Sequence, residues 1–154
     1  MQAPQSPQRP GQPNQAAPGF WRRMAAVIYD SLLLLAVLFL ATTVALPFNA
    51  GEAFSADQVI YPLYLVAVSF VFYGWFWTHG GQTLGLRSWK MRLVDRHDNR
   101  AVGWRQALLR YLAAVLSWLC LGMGFVWILI DKKNLAWHDY LSGTRLILTE
   151  KKDS

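Results

Sequence analysis

The chain has 154 residues, of which 54% are hydrophobic, and its formal net charge is +6. The apolar residues form blocks long enough to cross a bilayer, which argues against an ordinary soluble domain and predicts an all-α membrane protein with one domain. The basic residues lie beside these blocks, where they set orientation and attract anionic lipid, so we expect no nucleic-acid binding. The single cysteine excludes a disulfide within the chain.

Residues 1–19 are rich in Pro and Gln and have no large apolar residue after Met1. Such a segment cannot bury enough surface to offset the entropy lost on ordering, so we expect a disordered tail before a membrane domain over residues 20–150. The first apolar block begins too late and runs too long for a cleaved signal peptide. We therefore expect a retained signal anchor.

The first apolar block predicts a membrane helix from about Arg22 to Leu46, with Asp30 inside it. An ionised carboxylate in the middle of such a helix costs about 2.5–3.5 kcal/mol on insertion scales. A bond from Arg23 within the helix is not expected, because helical side chains lean toward the N-terminus. Asp30 therefore predicts either a partner from elsewhere in the protein, expected to be basic, or a water-filled cavity. The alternative is solvation near the headgroups through a local bilayer defect.

The distribution of charge predicts the orientation of the first two helices. The loop Pro47–Gln58 carries acidic residues and no Lys or Arg, so the positive-inside rule places it away from the cytoplasm. A second apolar block, Val59–Thr78, then returns the chain to the cytoplasmic side. The segment His79–Arg105 is densely basic. These features predict a cytoplasmic N-terminus and a cytoplasmic basic loop.

The third apolar block, Arg105–Ile130, can span once at ~39 Å but not twice. A basic tail follows it, and two strand candidates, Lys90–Leu93 and Thr144–Thr149, can pair only on one side of the membrane. Gly122 and Gly124 interrupt the block. We expect a broken helix pair that dips in and returns, with a small cytoplasmic sheet; a plain third crossing is the alternative.

Arg105 and Arg110 lie on the first half of this third block, beside an apolar face at helical spacing. Arg110 is a candidate counter-charge for Asp30. The alternative is that both arginines extend to the lipid headgroups.

The segment Asp131–Thr144 reads DKKNLAWHDYLSGT, and residues 81–85 read GQTLG. Together with Arg23 and Asp30, these motifs resemble the RDD family of small bacterial membrane proteins, which is named for one Arg and two Asp. The resemblance covers nearly everything from Phe20 to Leu148. It implies a multi-pass protein of the bacterial inner membrane.

By motif position, the resemblance assigns the family arginine to Arg23 and the first aspartate to Asp30. Asp139, beside His138, is the choice for the second aspartate, and Asp131 is a competing assignment. Relatives often carry a basic residue at the next position, where this chain has Tyr140. The predicted polar centre contains six residues: Arg23, Asp30, Arg110, Asp131, His138 and Asp139.

An Arg23–Asp139 ion pair at the cytoplasmic interface is our leading structural hypothesis, because it would fasten the first helix to the C-terminal motif. Two turns are also predicted. Gly81 and Gly85 bracket the first, where Gln82 and Thr83 are candidate helix caps; Gly143 and Thr144 belong to the second, which leads into the last strand.

For function, the resemblance implies a part in transport, with Asp30 suited to a monovalent cation or proton and an oligomer required to enclose a pathway for these or another small ligand. The alternative is a membrane interaction module that scaffolds a partner protein and binds anionic lipid through its basic face. Catalysis is the weakest interpretation. His138 and Asp139 are adjacent rather than on one face, and there is no phosphate-binding loop, so we expect no enzyme, cofactor or metal.

Overall fold

The computed structural model describes residues 17–55 and 58–149. The tail predicted for residues 1–19 lies outside this part of the chain except for its last three residues, of which Pro18 is buried. Between Phe20 and Leu148 the helices and strands are α1 (Phe20–Ala45), α2 (Ile60–Thr78), α3 (Leu84–Ser88), β1 (Met91–Asp95), α4 (Trp104–Leu119), α5 (Met123–Val126), α6 (Trp137–Ser142) and β2 (Thr144–Leu148).

Helices α1 and α2 are long and apolar enough to cross a membrane, as the sequence predicts. A turn of 3-10 helix, Leu46–Asn49, extends α1 through Pro47. The two helices are joined near their connecting loop by hydrogen bonds, with the Thr42 and Tyr61 hydroxyls 2.8 Å apart. Large apolar side chains such as Phe39, which is 77% exposed, cover the outer face of α1. This face has the character of a surface in contact with lipid.

The third apolar block is broken, as its glycines predict. Helix α4 ends at Leu119, and α5 continues into a 3-10 turn, Trp127–Leu129, at an angle of 104° to α4. Leu121 and Gly122 take left-handed φ values of 58° and 75° at the break, where glycine adopts such a conformation without strain. By length and composition, the bent pair is either a broken span or a re-entrant loop.

Strands β1 and β2 form an antiparallel pair, with Met91 opposite Leu148 and Asp95 opposite Thr144. The sequence predicts both strands and their pairing, although β1 begins one residue later and extends two residues further than expected. Met91 and Leu93 are fully buried on the inner side of the sheet. The sheet therefore packs against the helices rather than standing free.

The main apolar core lies where α1, α2 and α4 meet the sheet. Its members include Ala26, Trp77, Leu86, Leu93, Ala107, Tyr111 and Leu146. The short helix α3 packs against α1 and contacts β1. Helix α6 packs against α4 and leads into β2. These two short helices were not predicted from the sequence, and they place Gly85 and Asp139 opposite the polar residues of α1 and α4.

Candidate functional site

Asp139 lies in the first turn of α6 and is fully buried. Its Oδ2 accepts a hydrogen bond from the Arg23 Nη1, at 2.6 Å, and one from the Ala136 backbone N–H, at 3.0 Å. Its Oδ1 accepts from the Arg110 Nη1, at 2.5 Å. The Arg23–Asp139 ion pair expected from the sequence is therefore present, and a second arginine shares the same carboxylate.

Arg23 is 3% exposed, and each of its side-chain nitrogens is bonded. Besides Asp139, it donates from Nη2 to the Asn134 carbonyl at 2.6 Å and from Nε to the Pro18 carbonyl at 3.3 Å. One guanidinium thus joins the start of α1 to the segment that precedes α6. A planar fork of donors suits this task, and a lysine could not make the same contacts.

Arg110, on α4, also donates from Nη1 to the Thr144 hydroxyl, at 2.9 Å. The Thr144 hydroxyl lies 2.7 Å from that of Ser142. The guanidinium carbon is 5.4 Å from the centre of the Trp77 ring, within the range of a cation–π interaction. Arg110 therefore fastens α4 to the turn at Gly143 and Thr144, which the sequence predicts as the start of the last strand.

The prediction that a basic residue, with Arg110 as the candidate, holds Asp30 is wrong. Among the residues described, no ion pair joins Asp30 to a cation, and Arg110 is bonded to Asp139 instead. Asp30 accepts a short hydrogen bond from the Thr83 hydroxyl and one of 2.8 Å from the Gly85 backbone N–H. Its partners do come from a distant motif, but they are neutral donors rather than charged groups.

The GQTLG motif holds α3 against α1. Thr83 caps α3 by accepting a hydrogen bond from the Leu86 N–H at 3.2 Å, as expected of a helix cap, while Gln82 donates to the Met91 carbonyl at 2.8 Å. Gly81 has a left-handed φ of 68°, which fits the predicted turn. Gly85 does not take a left-handed φ, contrary to the expectation of turn freedom at both glycines.

The need for a glycine at position 85 has a different physical cause. A Cβ at this position would overlap the Ala26 carbonyl oxygen of α1 and would lie 2.8 Å from the Asp30 carboxyl carbon. A glycine therefore allows the α3 backbone to approach α1 closely enough for its N–H to reach Asp30. Spacing within the motif could not distinguish this role from that of a turn.

His138 is buried beside Asp139, and its Nε2 lies 3.7 Å from the Asp139 Oδ1. Burial, together with the positive charge of Arg110, lowers the pKa of His138 to about 3, so its imidazole is neutral near pH 7. Burial raises the pKa of Asp139, but the charges of Arg110 and Arg23 outweigh this and hold it well below its usual value. The pair His138–Asp139 thus contains one charge, not two.

Asp131 is separate from this cluster. Its Oδ2 accepts from the Leu135 N–H and its Oδ1 from the Tyr140 hydroxyl, both at 2.9 Å. The hydrogen bond from Leu135 is the main cause of a lowered pKa at Asp131, and the bond to Asp131 raises the pKa of Tyr140. Asp139, not Asp131, is therefore the aspartate that pairs with Arg23, and Tyr140 stabilises the loop before α6.

The match to known families agrees with this geometry. The model of the RDD family matches the chain over residues 17–143, most of its length. The chain belongs to the RDD family. No curated protein and no solved structure matches it significantly.

A cavity of about 280 Å³ lies inside this RDD domain, among α1, α2, α4 and α6. Its polar lining includes Arg23, Asp30, Ser69, Tyr73, Thr83, Arg110, Tyr111 and His138. A larger cavity, of about 650 Å³, lies near the loop between α1 and α2, and its described lining contains no charged side chain. The smaller cavity is therefore the candidate site.

The RDD chain also contains buried polar atoms without a hydrogen-bond partner among the described residues, and one of them, on Ser117, was not singled out from the sequence. Ser117 is fully buried and lies against Gly124 at the break after α4, and its hydroxyl has no hydrogen-bond partner among the described residues. The His138 Nδ1 is likewise buried without a partner in this part of the chain. No group of three His, Cys, Asp or Glu side chains in the described ranges has the arrangement of a metal site.

Proposed function

We propose that this RDD-family protein is a multi-pass protein of the bacterial inner membrane that contributes, as an oligomer, to the transport of a proton, a monovalent cation or another small ligand. The observation that supports the proposal is the burial of Asp30 in a cavity without a cationic partner among the described residues. This carboxylate is 5% exposed within a helix long enough to cross a membrane, and it lines a cavity without a cationic partner among the described residues. An ionisable group in such a position marks a pathway more often than it stabilises a fold.

The two buried carboxylates, Asp30 and Asp139, differ in how readily they could bind an incoming cation. Asp139 is bonded to two guanidiniums, so an incoming cation would have to displace an arginine. Asp30 has one neutral donor at each oxygen, and a carboxylate oxygen can accept a further bond. The hydroxyl-bearing side chains of Ser69 and Tyr73 line the same cavity. Asp30 is therefore the group that we expect to bind the proton or cation.

The sheet supports a topology with two crossings. Strand β1 precedes the bent apolar pair and β2 follows it, and the two strands are hydrogen-bonded to each other. A segment whose two ends meet in one sheet enters and leaves on the same side of the membrane. With the positive-inside rule, this favours a re-entrant pair and a cytoplasmic N-terminus. Two crossing helices are too few to enclose a pathway, which is why the proposal requires an oligomer.

Flux measurements in proteoliposomes test the proposal. The full chain is reconstituted, and proton and sodium or potassium flux is compared for the natural protein, Asp30→Asn and the control Asp131→Asn. We expect Asp30→Asn to lower flux to the level of protein-free liposomes and Asp131→Asn to retain it, because Asp131 lies outside the cavity lining. Flux that is unchanged in a folded Asp30→Asn variant would remove the main support for transport.

Reporters fused to the C-terminus test the topology. A fluorescent reporter that matures only in the cytoplasm and a phosphatase that is active only outside it give opposite signals. We expect fluorescence and no phosphatase activity, because the pairing of β1 with β2 returns the chain to the side of the basic loop. The reverse result would mean that the bent pair crosses the membrane.

The alternative is a membrane module that scaffolds or regulates a partner protein. An exposed basic group beside the sheet favours it: Arg87, Lys90 and Arg92 all face outward. Such a surface suits anionic lipid or an acidic partner. This function predicts that a distinct protein co-purifies with the chain and is lost in a Lys90→Glu, Arg92→Glu variant. It also predicts no flux by the chain alone.

A further inference from the structure

The wall of the Asp30 cavity has an arginine with unused donors. Arg110 is 5% exposed and lines the cavity, yet only its Nη1 is bonded, to Asp139 and Thr144. Its Nε and Nη2 donate no hydrogen bond to any residue in the described ranges. Arg23, by contrast, uses its Nε, Nη1 and Nη2. Two guanidiniums thus share the single carboxylate of Asp139, which leaves these three side chains with one positive charge in excess.

The same cavity also contains unused acceptors. Asp30 has no cationic partner in the described structure, and its carboxylate faces neutral donors. His138 lines the cavity, and its Nε2 is directed toward Asp139 at 3.7 Å, which favours a proton on Nε2. The His138 Nδ1 is then a buried acceptor without a donor. The site therefore offers donors for an oxyanion and acceptors for a cation that carries N–H groups.

Part of the exposed lining of the cavity is apolar. Leu34, Val115 and Trp118 belong to its lining, and the last two are 41% and 57% exposed on the outer face of α4. The volume of about 280 Å³ is slightly smaller than that of typical small-molecule sites, which hold roughly 300–1,000 Å³. The cavity thus accommodates a polar headgroup whose apolar chain continues along the lipid-facing surface of α4.

We propose that the cavity binds a zwitterion in which an oxyanion contacts Arg110 and a primary ammonium contacts Asp30. Two sources share this chemistry: the headgroup of phosphatidylethanolamine and a water-soluble zwitterion such as an amino acid. The exposed apolar lining residues Val115 and Trp118 favour the lipid. This inference shares with the proposed function the assumption that the Asp30 cavity is the binding site, but it does not require flux.

Lipid binding to the full chain in detergent tests the inference. The protein is stripped of lipid and titrated with phosphatidylethanolamine, phosphatidylcholine and phosphatidylglycerol, and bound lipid is counted by native mass spectrometry. We expect phosphatidylethanolamine to bind about tenfold more tightly than phosphatidylcholine, because the quaternary nitrogen of choline has no N–H to donate to Asp30. Phosphatidylglycerol, which lacks an ammonium group, is expected to bind as weakly as phosphatidylcholine.

Variants of the cavity show which residues cause the preference for phosphatidylethanolamine over phosphatidylcholine. Asp30→Asn is expected to remove the preference for phosphatidylethanolamine without weakening the binding of phosphatidylcholine, while Asp131→Asn retains it. Ala114 lines the cavity one helical turn after Arg110, so Ala114→Leu places a larger apolar side chain in the cavity and leaves the Arg23–Asp139 and Arg110–Asp139 ion pairs unchanged in sequence. It is expected to weaken the binding of phosphatidylethanolamine while the thermal midpoint is maintained. This second variant keeps the test valid if Asp30→Asn does not fold. Binding of glycine or phosphoethanolamine to the lipid-free protein as tightly as phosphatidylethanolamine would show that the lipid chains add nothing, and would identify a soluble zwitterion as the ligand.

The inference is overturned if the natural protein binds the ethanolamine and choline lipids equally, or if folded Asp30→Asn keeps the preference. Equal binding in Ala114→Leu and the natural protein would also overturn it. These outcomes are separate from the transport test. If Asp30→Asn loses flux but keeps the preference for phosphatidylethanolamine, the results support transport and reject the zwitterion site. If Asp30→Asn keeps flux but loses the preference, the results support the zwitterion site and not transport.

Discussion

Arg23 and Asp139 form a buried ion pair, 2.6 Å long, between residues that are 116 positions apart in the chain. The other oxygen of Asp139 holds Arg110, at 2.5 Å. One carboxylate therefore connects α1, α4 and α6. Its removal leaves two buried guanidiniums without an anion, and this makes Asp139 the most sensitive position of the polar network.

Asp139→Asn is expected to destabilise the folded protein by about 3–5 kcal/mol, because breaking a buried ion pair leaves an uncompensated charge. Thermal unfolding in detergent, followed by circular dichroism, measures the change. Asp131→Asn is the matched control, since the Asp131 carboxylate accepts hydrogen bonds from Leu135 and Tyr140 near the surface and lies apart from the two arginines. A drop in the thermal midpoint for Asp131→Asn as large as that for Asp139→Asn would contradict the assignment of the network to Asp139.

Gly85→Ala is expected to separate α3 from α1, since its Cβ would overlap the Ala26 carbonyl oxygen and press on Asp30. Overpacking of this kind costs about 1–3 kcal/mol. Gly103→Ala is the control, because a Cβ there meets nothing within 4 Å and its φ is −83°. The two variants are compared by thermal unfolding. Equal stability of both would argue against a close α1–α3 contact.

Ser117→Ala is expected to raise the free energy of unfolding by about 1 kcal/mol, because it removes a buried hydroxyl without a partner in the described structure. Ser142→Ala is expected to lower it by about 1–2 kcal/mol. That hydroxyl donates to the His138 carbonyl at 2.5 Å and lies 2.7 Å from that of Thr144. Urea or thermal unfolding of the two variants shows whether each substitution raises or lowers the free energy of unfolding. Destabilisation by Ser117→Ala would mean that its hydroxyl is bonded in solution.

The stability of the protein is expected to fall as the pH is lowered from about 6.5 toward 3, and His138 is the cause. Its pKa is about 3 in the folded protein and near 6.5 when unfolded, so the unfolded chain binds more protons in this window. The slope approaches about 1.4 kcal/mol per pH unit. Asp139 faces His138 together with Arg110 and Arg23, and its own stabilising contribution is lost only below its ordinary pKa of 3.8.

Thermal midpoints between about pH 4.5 and 7 therefore isolate His138 from Asp139. His138→Gln removes the titrating group and is expected to flatten the dependence in this range, whatever its effect on absolute stability. A slope that persists in this variant would assign the pH dependence to another group.

The sequence predicted the parts of the fold that depend on apolar length and charge. The two long helices, the break at Gly122 and the paired strands all follow from runs of residues whose physical preferences are local. Motif position also identified Arg23 and Asp139 as partners. The interpretation was right here because an arginine and an acid at the same interface have few other ways to be buried.

The sequence did not predict which groups hold Asp30. A carboxylate in an apolar helix suggests a cation, but the Thr83 hydroxyl and the Gly85 N–H satisfy it instead. Backbone donors leave no trace in composition, and the short helix α3 that presents them is only five residues long. The glycine at position 85 is the one signal that could have indicated a close backbone approach, and it also fits a turn.

The distance in sequence between Arg23 and Asp139 also sets an order of events during synthesis. At about 5–20 residues per second, the ribosome needs roughly 6–23 s to reach the aspartate after it has made the arginine. In that interval Arg23 lacks the α6 carboxylate that binds it in the folded protein. The contact that this ion pair makes between the start of α1 and α6 therefore forms only after the ribosome has added α6.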